Sequence, residues 1–465
     1  MLKIAFLNPF TPDGNLVPHL GPLTMAAVLE KGGHQVAVFD QSFDPDVARF
    51  IVSFKPDIIG VSAVTSAVLS GRDMVKQIKR EIPEAVILFG GPHPTAMPFE
   101  VVSWPEIDFV ITGEGELSIQ MLADWLDKKG SSDQLKKIPN LYFKSDTIVS
   151  YTYPAKFLTS DELTHLPLPA YHLLDVDRIA SRIRHGLFRK GKRVLPYMAT
   201  RGCPNQCTFC CRMMGSRVRR RHPDQVLNDL EDMIIRYDLD EIYFEDDNFT
   251  SSKSYALRIL DGMIERGFPI SVKFANGLRI DSISEEILEK MRSVGCHSLG
   301  FGLESGSERV LKLMQKNLNL AQVQNDIKKI KSFGFLVGAN MILGYPGETE
   351  NDIWEGFQFF ESLNLDSIAV VNLIPFPGTA VREICEQNGY LTEQADSWDN
   401  YYFDIKNPKI LIETEHLSQE QLKKILKKIF FKLYTDRTRL LTLLKNMSFS
   451  DIKDGTMMMI QKMTS

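Results

Sequence analysis

The stretch Pro196–Cys211, PYMATRGCPNQCTFCC, decides how the chain is read. Pro196–Thr200 has the apolar and β-branched character of a strand, and the turn after it opens directly into four of the chain's six cysteines. Five further strand candidates follow: Glu241–Glu245, Ser271–Ala275, Ser298–Leu303, Leu336–Leu343 and Ser367–Ile374. Helical patterns separate them, as in Val226, Leu227, Leu230, Met233 and Ile234. Six βα units are short of the eight of a closed barrel and predict a partial (βα)6 barrel. The cysteines then sit in the loop after its first strand, at the mouth where active sites lie in this architecture.

Cys203, Cys207 and Cys210 have the spacing C-x3-C-x2-C. Three thiolates ligate three irons of a [4Fe–4S] cube and leave the fourth iron open, whereas electron-transfer clusters usually take four cysteines. A zinc site with Cys211 or His222 as fourth ligand is the alternative that spacing allows. Cys211 adjoins Cys210, and adjacent side chains diverge, which favours a structural or tuning role for it. Cys296 and Cys385 read as core cysteines.

Before the barrel, from Lys3 to about Lys129, strand candidates Lys3–Asn8, Gln35–Asp40, Ile58–Ala63, Ala85–Gly91 and Phe109–Gly113 alternate with helical stretches such as Leu20–Lys31 and Ser70–Glu81. This repetition predicts a doubly wound parallel sheet, Rossmann-like, with Gly- and Pro-rich loops at the strand ends where such sheets bind ligands. The division expected is residues 1–130 for that sheet, 131–194 for a linker, 195–390 for the barrel and 391–465 for a helical cap. The linker carries the basic run His185–Arg193. The cap carries an amphipathic helix over Leu417–Asn446, opened by a capping box from Ser418 to Gln421. Its Lys-rich face suits a membrane surface and a lipid substrate; packing of its apolar face on the barrel is the other reading.

A net charge of −5 argues against a nucleic-acid binder and for small-molecule chemistry. The N-terminal apolar run is too short for a signal peptide and no segment approaches a membrane span, so the chain reads as cytoplasmic. Clustered cysteines in such a chain point to metal or redox work rather than disulfides.

The C-x3-C-x2-C loop, with Phe209 before its last cysteine, resembles the signature of the radical S-adenosylmethionine (SAM) superfamily. The strand-end motifs Glu245-Asp-Asp-Asn-Phe, Phe274-Ala-Asn-Gly-Leu-Arg, Gly300-Phe-Gly-Leu-Glu-Ser-Gly-Ser, Ile342-Leu-Gly-Tyr-Pro-Gly-Glu-Thr and Ile374-Pro-Phe-Pro-Gly-Thr extend the resemblance. It implies a cluster on Cys203, Cys207 and Cys210, with SAM chelating the open iron and Glu304 on its ribose hydroxyls. Phe209, Asn276, Arg279, Ser305, Gly344 and Pro346 would line the same site. Glu245, Asp246 and Asp247 depart from the family's Gly-Gly-Glu pattern, and any of the three can face the SAM ammonium. The basic run Arg217–His222 is either a contact for SAM's carboxylate or an anionic substrate, or a solvated helix entry.

The N-terminal motifs, Pro18-His-Leu-Gly-Pro through Gly60-Val-Ser-Ala-Val-Thr-Ser, Phe89-Gly-Gly-Pro-His-Pro and Thr112-Gly-Glu-Gly-Glu, resemble the cobalamin-binding domain that precedes many radical SAM barrels. Pro18, Leu20, Gly21, Ser62, Gly90, Gly91, Pro92, His93, Gly113, Glu114 and Gly115 are the implied contacts. No D-x-H-x-x-G motif is present, since Asp13 and His19 are too far apart. Cobalamin is therefore expected base-off, with Val64, Thr65 and Ser66 near its lower face. His19 and His93 are either further corrin neighbours or ordinary loop histidines.

The resemblance implies reductive SAM cleavage to a 5′-deoxyadenosyl radical, followed by methyl transfer from methylcobalamin to an unactivated carbon of a small-molecule substrate. A reductant such as flavodoxin or ferredoxin and oxygen-free working conditions are implied with it. A cyclisation, rearrangement or oxidation without methyl transfer is the alternative within the class, and a cobalamin-binding redox sensor is the alternative outside it. The substrate itself, whether lipid, tetrapyrrole, polyketide, peptide or phosphinate, stays open.

Overall fold

The computed structural model describes residues 1–12, 16–145, 148–183, 188 and 190–446. Asp13, His185, Gly186, Leu187 and Arg189 of the basic run, and the tail 447–465 therefore lie outside the described residues. Strands β1 (Lys3–Asn8), β2 (Gln35–Asp40), β3 (Ile58–Ser62), β4 (Val86–Gly90) and β5 (Phe109–Ile111) are parallel and lie in the order β2-β1-β3-β4-β5. Helices cover both faces, so strands such as β1 and β3 are apolar along almost their whole length rather than alternating. The order reverses between β1 and β3, which opens a crevice at the carboxyl ends of the strands.

The segment expected to be a plain linker does more than connect. It contributes β6 (Leu141–Ser145) and β7 (Ile148–Tyr151), an antiparallel hairpin that extends the sheet beyond β5. It also places the short helix Ser160–His165 and the turn Tyr171–Leu173 against the barrel.

In the second half, β8 (Val194–Tyr197) is followed by a two-stranded ribbon of β9 (Thr200–Arg201) and β10 (Arg219–Arg220) that brackets the cysteine loop. Strands β11 (Glu241–Phe244), β12 (Ser271–Phe274), β13 (Ser298–Glu304), β14 (Leu336–Leu343) and β15 (Ser367–Asn372) complete six parallel barrel strands. They pair as β8-β11-β12 and β13-β14-β15, with one parallel bridge from Leu278 to Phe301 joining the halves. No pairing closes β15 onto β8 among the described residues, so the barrel is open, as six units require. Cys296 and Cys385 are buried core residues.

The expected C-terminal helix is two helices, Gln419–Thr435 and Arg437–Asn446. Asp436 takes an extended conformation between them, and its carboxylate accepts from the Arg439 N–H at 3.1 Å, so it ends one helix and caps the next. The capping box of Ser418 and Gln421 forms as expected. Leu422, Ile425, Leu426, Ile429 and Leu433 form one buried stripe packed into the barrel core, which is the packing reading of this helix. No described helix is long and apolar enough to cross a membrane.

Candidate active site

All six barrel strands point their carboxyl ends to one side, and the ribbon β9-β10 hangs the cysteine loop over that opening. Thr208, between Cys207 and Phe209, anchors the loop from three directions. Its N–H donates to the Met314 carbonyl at 3.1 Å, its carbonyl accepts from Val381 N–H at 2.9 Å, and its hydroxyl lies 2.6 Å from the Tyr345 hydroxyl. Phe209 packs beside Val310, Met314, Tyr345 and Leu373. Cys207 is buried, Cys203 partly buried and Cys210 exposed, and all three are free thiols. Although Cys210 is exposed as a residue, its sulfur is shielded by the loop, and this burial with the neighbouring Cys207 and Asp247 pushes its thiol up to about 12.

The residues of the zinc alternative are engaged elsewhere. His222 caps the helix Pro223–Tyr237, its Nδ1 accepting from Asp224 N–H at 3.3 Å. Cys211 Sγ lies 3.6 Å from the Pro377 carbonyl. Among the described residues no group of three or more Cys, His, Asp or Glu side chains is arranged to hold a metal ion, and this applies to Cys203, Cys207 and Cys210 as much as to the zinc alternative.

Glu304, at the end of β13, is buried with φ +71°, and Lys316 Nζ lies 3.5 Å from its Oε1. Lys316 also lowers the Cys207 thiol against the burial that raises it, so Glu304, Lys316 and Cys207 converge. Lys316 escapes sequence reading because it follows the helix Glu308–Leu313 in an unremarkable Met-Gln-Lys; the one available signal is that a buried Glu304 needs a cation. Ser305 is buried beside it, and Ser307 N–H donates to the Ser305 hydroxyl at 3.2 Å. Asn276 Nδ2 donates to the Glu245 carbonyl at 2.9 Å, and Arg279 reaches the Asn317 carbonyl at 3.2 Å. Gly344 has φ +83°, and a methyl group on it would lie 2.7 Å from Leu422 Cδ2, so its missing side chain admits the C-terminal helix. Pro346 is buried in the same turn.

That turn is held by Glu348, fully buried, whose Oε2 accepts the N–H groups of Gly344 at 2.6 Å and Tyr345 at 3.2 Å. Burial pushes its carboxyl from 4.5 up to about 8. Between those values the folded state holds a proton that the unfolded chain has lost, so the Glu348 contribution is full below about pH 4.5 and lost as pH rises through about 8. Glu348→Gln keeps an acceptor for both amides. Thermal melts from about pH 4.5 to 8.5 are expected to show a shallower fall for the variant than for the wild type.

The three carboxylates after β11 separate. Asp246 accepts the N–H groups of Thr200 at 2.6 Å and Ala199 at 3.3 Å, and Asp247 accepts that of Gly202 at 2.8 Å. Asp246 is buried and holds the entry to the cysteine loop, and Asp247 does so through Oδ2 while remaining exposed beside Cys210. Glu245 instead lines a cavity of about 460 Å³ between the first sheet and the barrel mouth.

On the sheet side, Pro18, Leu20, Gly21, Ser62, Val64, Gly90, Gly91, Pro92, Gly113, Glu114 and Gly115 line this cavity; on the barrel side, Tyr197, Met198, Met213 and Met214 do. Close backbone approach is built in at Gly91, where φ is +95° and a methyl group would lie 3.0 Å from Ala63 N. Thr65, Ser66 and His93 do not line it. They are buried behind it, where His93 Nδ1 lies 3.4 Å from Thr65 Oγ1 and the His93 ring meets Trp398 edge-on at 4.8 Å. Burial there lowers the His93 imidazole to about 4. His19 does line the cavity.

Glu114 has a second role that its loop position hides. Arg219 Nη1 donates to both of its oxygens at 2.7 Å, Arg201 Nη1 donates at 3.0 Å, and Leu158 N–H donates at 2.8 Å. Arg201 also binds Glu116 at 2.7 Å. The base of the cysteine loop is thus clamped to the first sheet. Arg221 pairs with Asp229 at 3.0 Å, so Arg219 and Arg221, from the run read as an anion contact or solvated entry, are buried structural cations.

Residues 197–360 match the radical SAM superfamily and residues 12–123 match the B12 binding domain. An uncharacterized methyltransferase of Pyrococcus horikoshii is 30% identical over 93% of each chain. The cytidylyl-2-hydroxyethylphosphonate methyltransferase of Streptomyces wedmorensis is 26% identical, over 84% of this chain and 82% of that one. In fold, the chain is similar to the radical SAM methyltransferase TsrM from Kitasatospora setae with tryptophan substrate and a SAM analogue bound. That likeness has TM-score 0.70 and 18% identity, over 97% of this chain and 89% of that one. With both matched regions in one chain, the sheet followed by an open barrel, and a relative of this identity along nearly its full length, the chain belongs to the cobalamin-dependent radical SAM enzymes, whose cofactors are a [4Fe–4S] cluster, SAM and cobalamin.

Proposed function

We propose that the protein is a methyltransferase that modifies an unactivated carbon of a small molecule, with Cys203, Cys207 and Cys210 holding the cluster. The observation that carries this reading is the shared cavity: glycine loops of the first sheet and the methionines of the cysteine loop line one space. Curated relatives named as methyltransferases support it. The bound cofactors supply reductive SAM cleavage and a transferable methyl group.

The chain's own residues place those groups. Thr208 and Tyr345 fix the loop that carries the thiols, and the buried Glu304, steadied by Lys316, takes the ribose hydroxyls. Asn276, Arg279, Ser305, Gly344 and Pro346 complete that pocket. The glycine loops through 21, 62, 90, 91 and 113–115 admit the corrin, and the apolar wall excludes water from the reacting atoms. Cobalamin belongs to the sheet of residues 1–130 with the hairpin 141–151 added, the cluster to 195–390, and substrate selection to the covering segment after 391. The electron comes from a protein donor such as flavodoxin or ferredoxin, and neither nucleic acid nor a membrane surface is needed.

The test is anaerobic reconstitution with iron, sulfide and hydroxocobalamin, followed by SAM labelled in its methyl group and a strong reductant. Expected are 5′-deoxyadenosine and labelled methylcobalamin. Deoxyadenosine without labelled methylcobalamin supports the cyclase or rearrangement class instead. Bound cobalamin with no SAM cleavage supports the redox sensor.

A further inference from the structure

We propose that Glu245 is the barrel's own contact to cobalamin, its carboxylate accepting hydrogen bonds from the amide groups on the rim of the corrin. This rests on reading the interdomain cavity as the cobalamin site. The other carboxylates and guanidinia lining that cavity are held in ion pairs, Arg201 with Glu114 and Glu116 and Arg221 with Asp229, although Glu116 Oε2 and Arg221 Nε are also buried without a partner. Glu245 makes no side-chain hydrogen bond or ion pair among the described residues, and its Oε1 is buried without a partner. A carboxylate oxygen buried without donors is costly, so a bound group that brings N–H donors is strongly favoured there. The nearby wall of Met198, Met213, Met214 and Leu166 offers none.

Two observations separate this role from a contact to SAM. None of Asn276, Arg279, Glu304, Ser305, Gly344 and Pro346 lines the cavity that Glu245 lines, whereas the glycine loops of the first sheet do. The neighbours Asp246 and Asp247 turn to the amides of Ala199, Thr200 and Gly202, so the three successive carboxylates diverge. Burial together with Asp246 pushes the Glu245 carboxyl up to about 7 in the absence of a bound group. The barrel thereby reads the corrin directly, and loading of cobalamin depends on both halves of the chain.

The experiment uses the full chain, purified without oxygen and reconstituted with its cluster, and titrates it separately with hydroxocobalamin and with SAM. Glu245→Ala is expected to bind hydroxocobalamin about tenfold more weakly and SAM as well as the wild type. Glu245→Gln, which keeps an acceptor oxygen, is expected to lie between. Iron content near the wild-type value shows that the barrel has folded. Weaker SAM binding with unchanged hydroxocobalamin binding overturns the proposal, as does no change in either. Wild-type protein that binds no hydroxocobalamin overturns the cavity reading itself, before any variant is made.

Discussion

Cys207→Ala is expected to reduce bound iron toward zero and 5′-deoxyadenosine formation to background, while hydroxocobalamin still binds. The separation follows from how the loop is held. Thr208 carries the contacts to Met314, Val381 and Tyr345, so the loop backbone stays anchored when the neighbouring sulfur is removed. Two thiolates cannot replace three on a cube that needs each iron but one ligated by protein. Cys211→Ala is the matched control. Its sulfur lies near the Pro377 carbonyl and is expected to be dispensable for iron. Iron and sulfide analysis with electron paramagnetic resonance of the reduced protein checks both. Retention of a normal cluster in Cys207→Ala together with its loss in Cys211→Ala would assign the ligands differently.

Glu114→Ala is expected to destabilise the protein by about 3–5 kcal/mol, the usual cost of removing one partner from a buried ion pair. The side chains of Glu114 and Arg219 are only 5% and 6% exposed. Removing the carboxylate leaves the Arg219 guanidinium without its salt-bridge partner and the Leu158 N–H without its acceptor. Arg201 keeps Glu116, so the clamp is weakened at one point rather than abolished. Chemical denaturation followed by near-ultraviolet circular dichroism, with the isosteric Glu114→Gln beside it, measures the effect. A change under about 1 kcal/mol, typical of exposed pairs, would show that the clamp does not bear on stability.

Much of this architecture is legible without coordinates. Strands β1, β2 and β14 and the helix Leu20–Lys31 fall where apolar runs and helical spacing put them, β1 because it is buried almost throughout and β2 and β14 because their burial alternates along the strand. The barrel strand ends were legible within one to three residues, and so was the glycine at 91, which a positive φ demands. The grouping of Cys203, Cys207 and Cys210 is legible because residues of one short loop are adjacent in sequence.

What sequence could not supply is whatever joins distant segments. Glu114 reads as a loop contact, and only the fold brings Arg201 and Arg219 to it, because an ion pair between domains leaves no periodicity in either strand of text. The hairpin of Leu141–Ser145 and Ile148–Tyr151 lies between Pro139 and Pro154, and only the fold shows that it pairs onto β5 and extends the first sheet. Lys316, Trp398 and Leu422 are equally silent: each matters through the one partner it reaches, Glu304, His93 or Gly344. The run Glu245-Asp-Asp shows the limit most directly. Three carboxylates in a row look alike as letters, and the backbone then turns two of them to amide groups and one into the cavity. Local pattern determined the elements and the cysteine loop, because those depend on neighbours along the chain; the tertiary structure alone decided which charges are paired and which one faces the cavity, because that depends on neighbours in space.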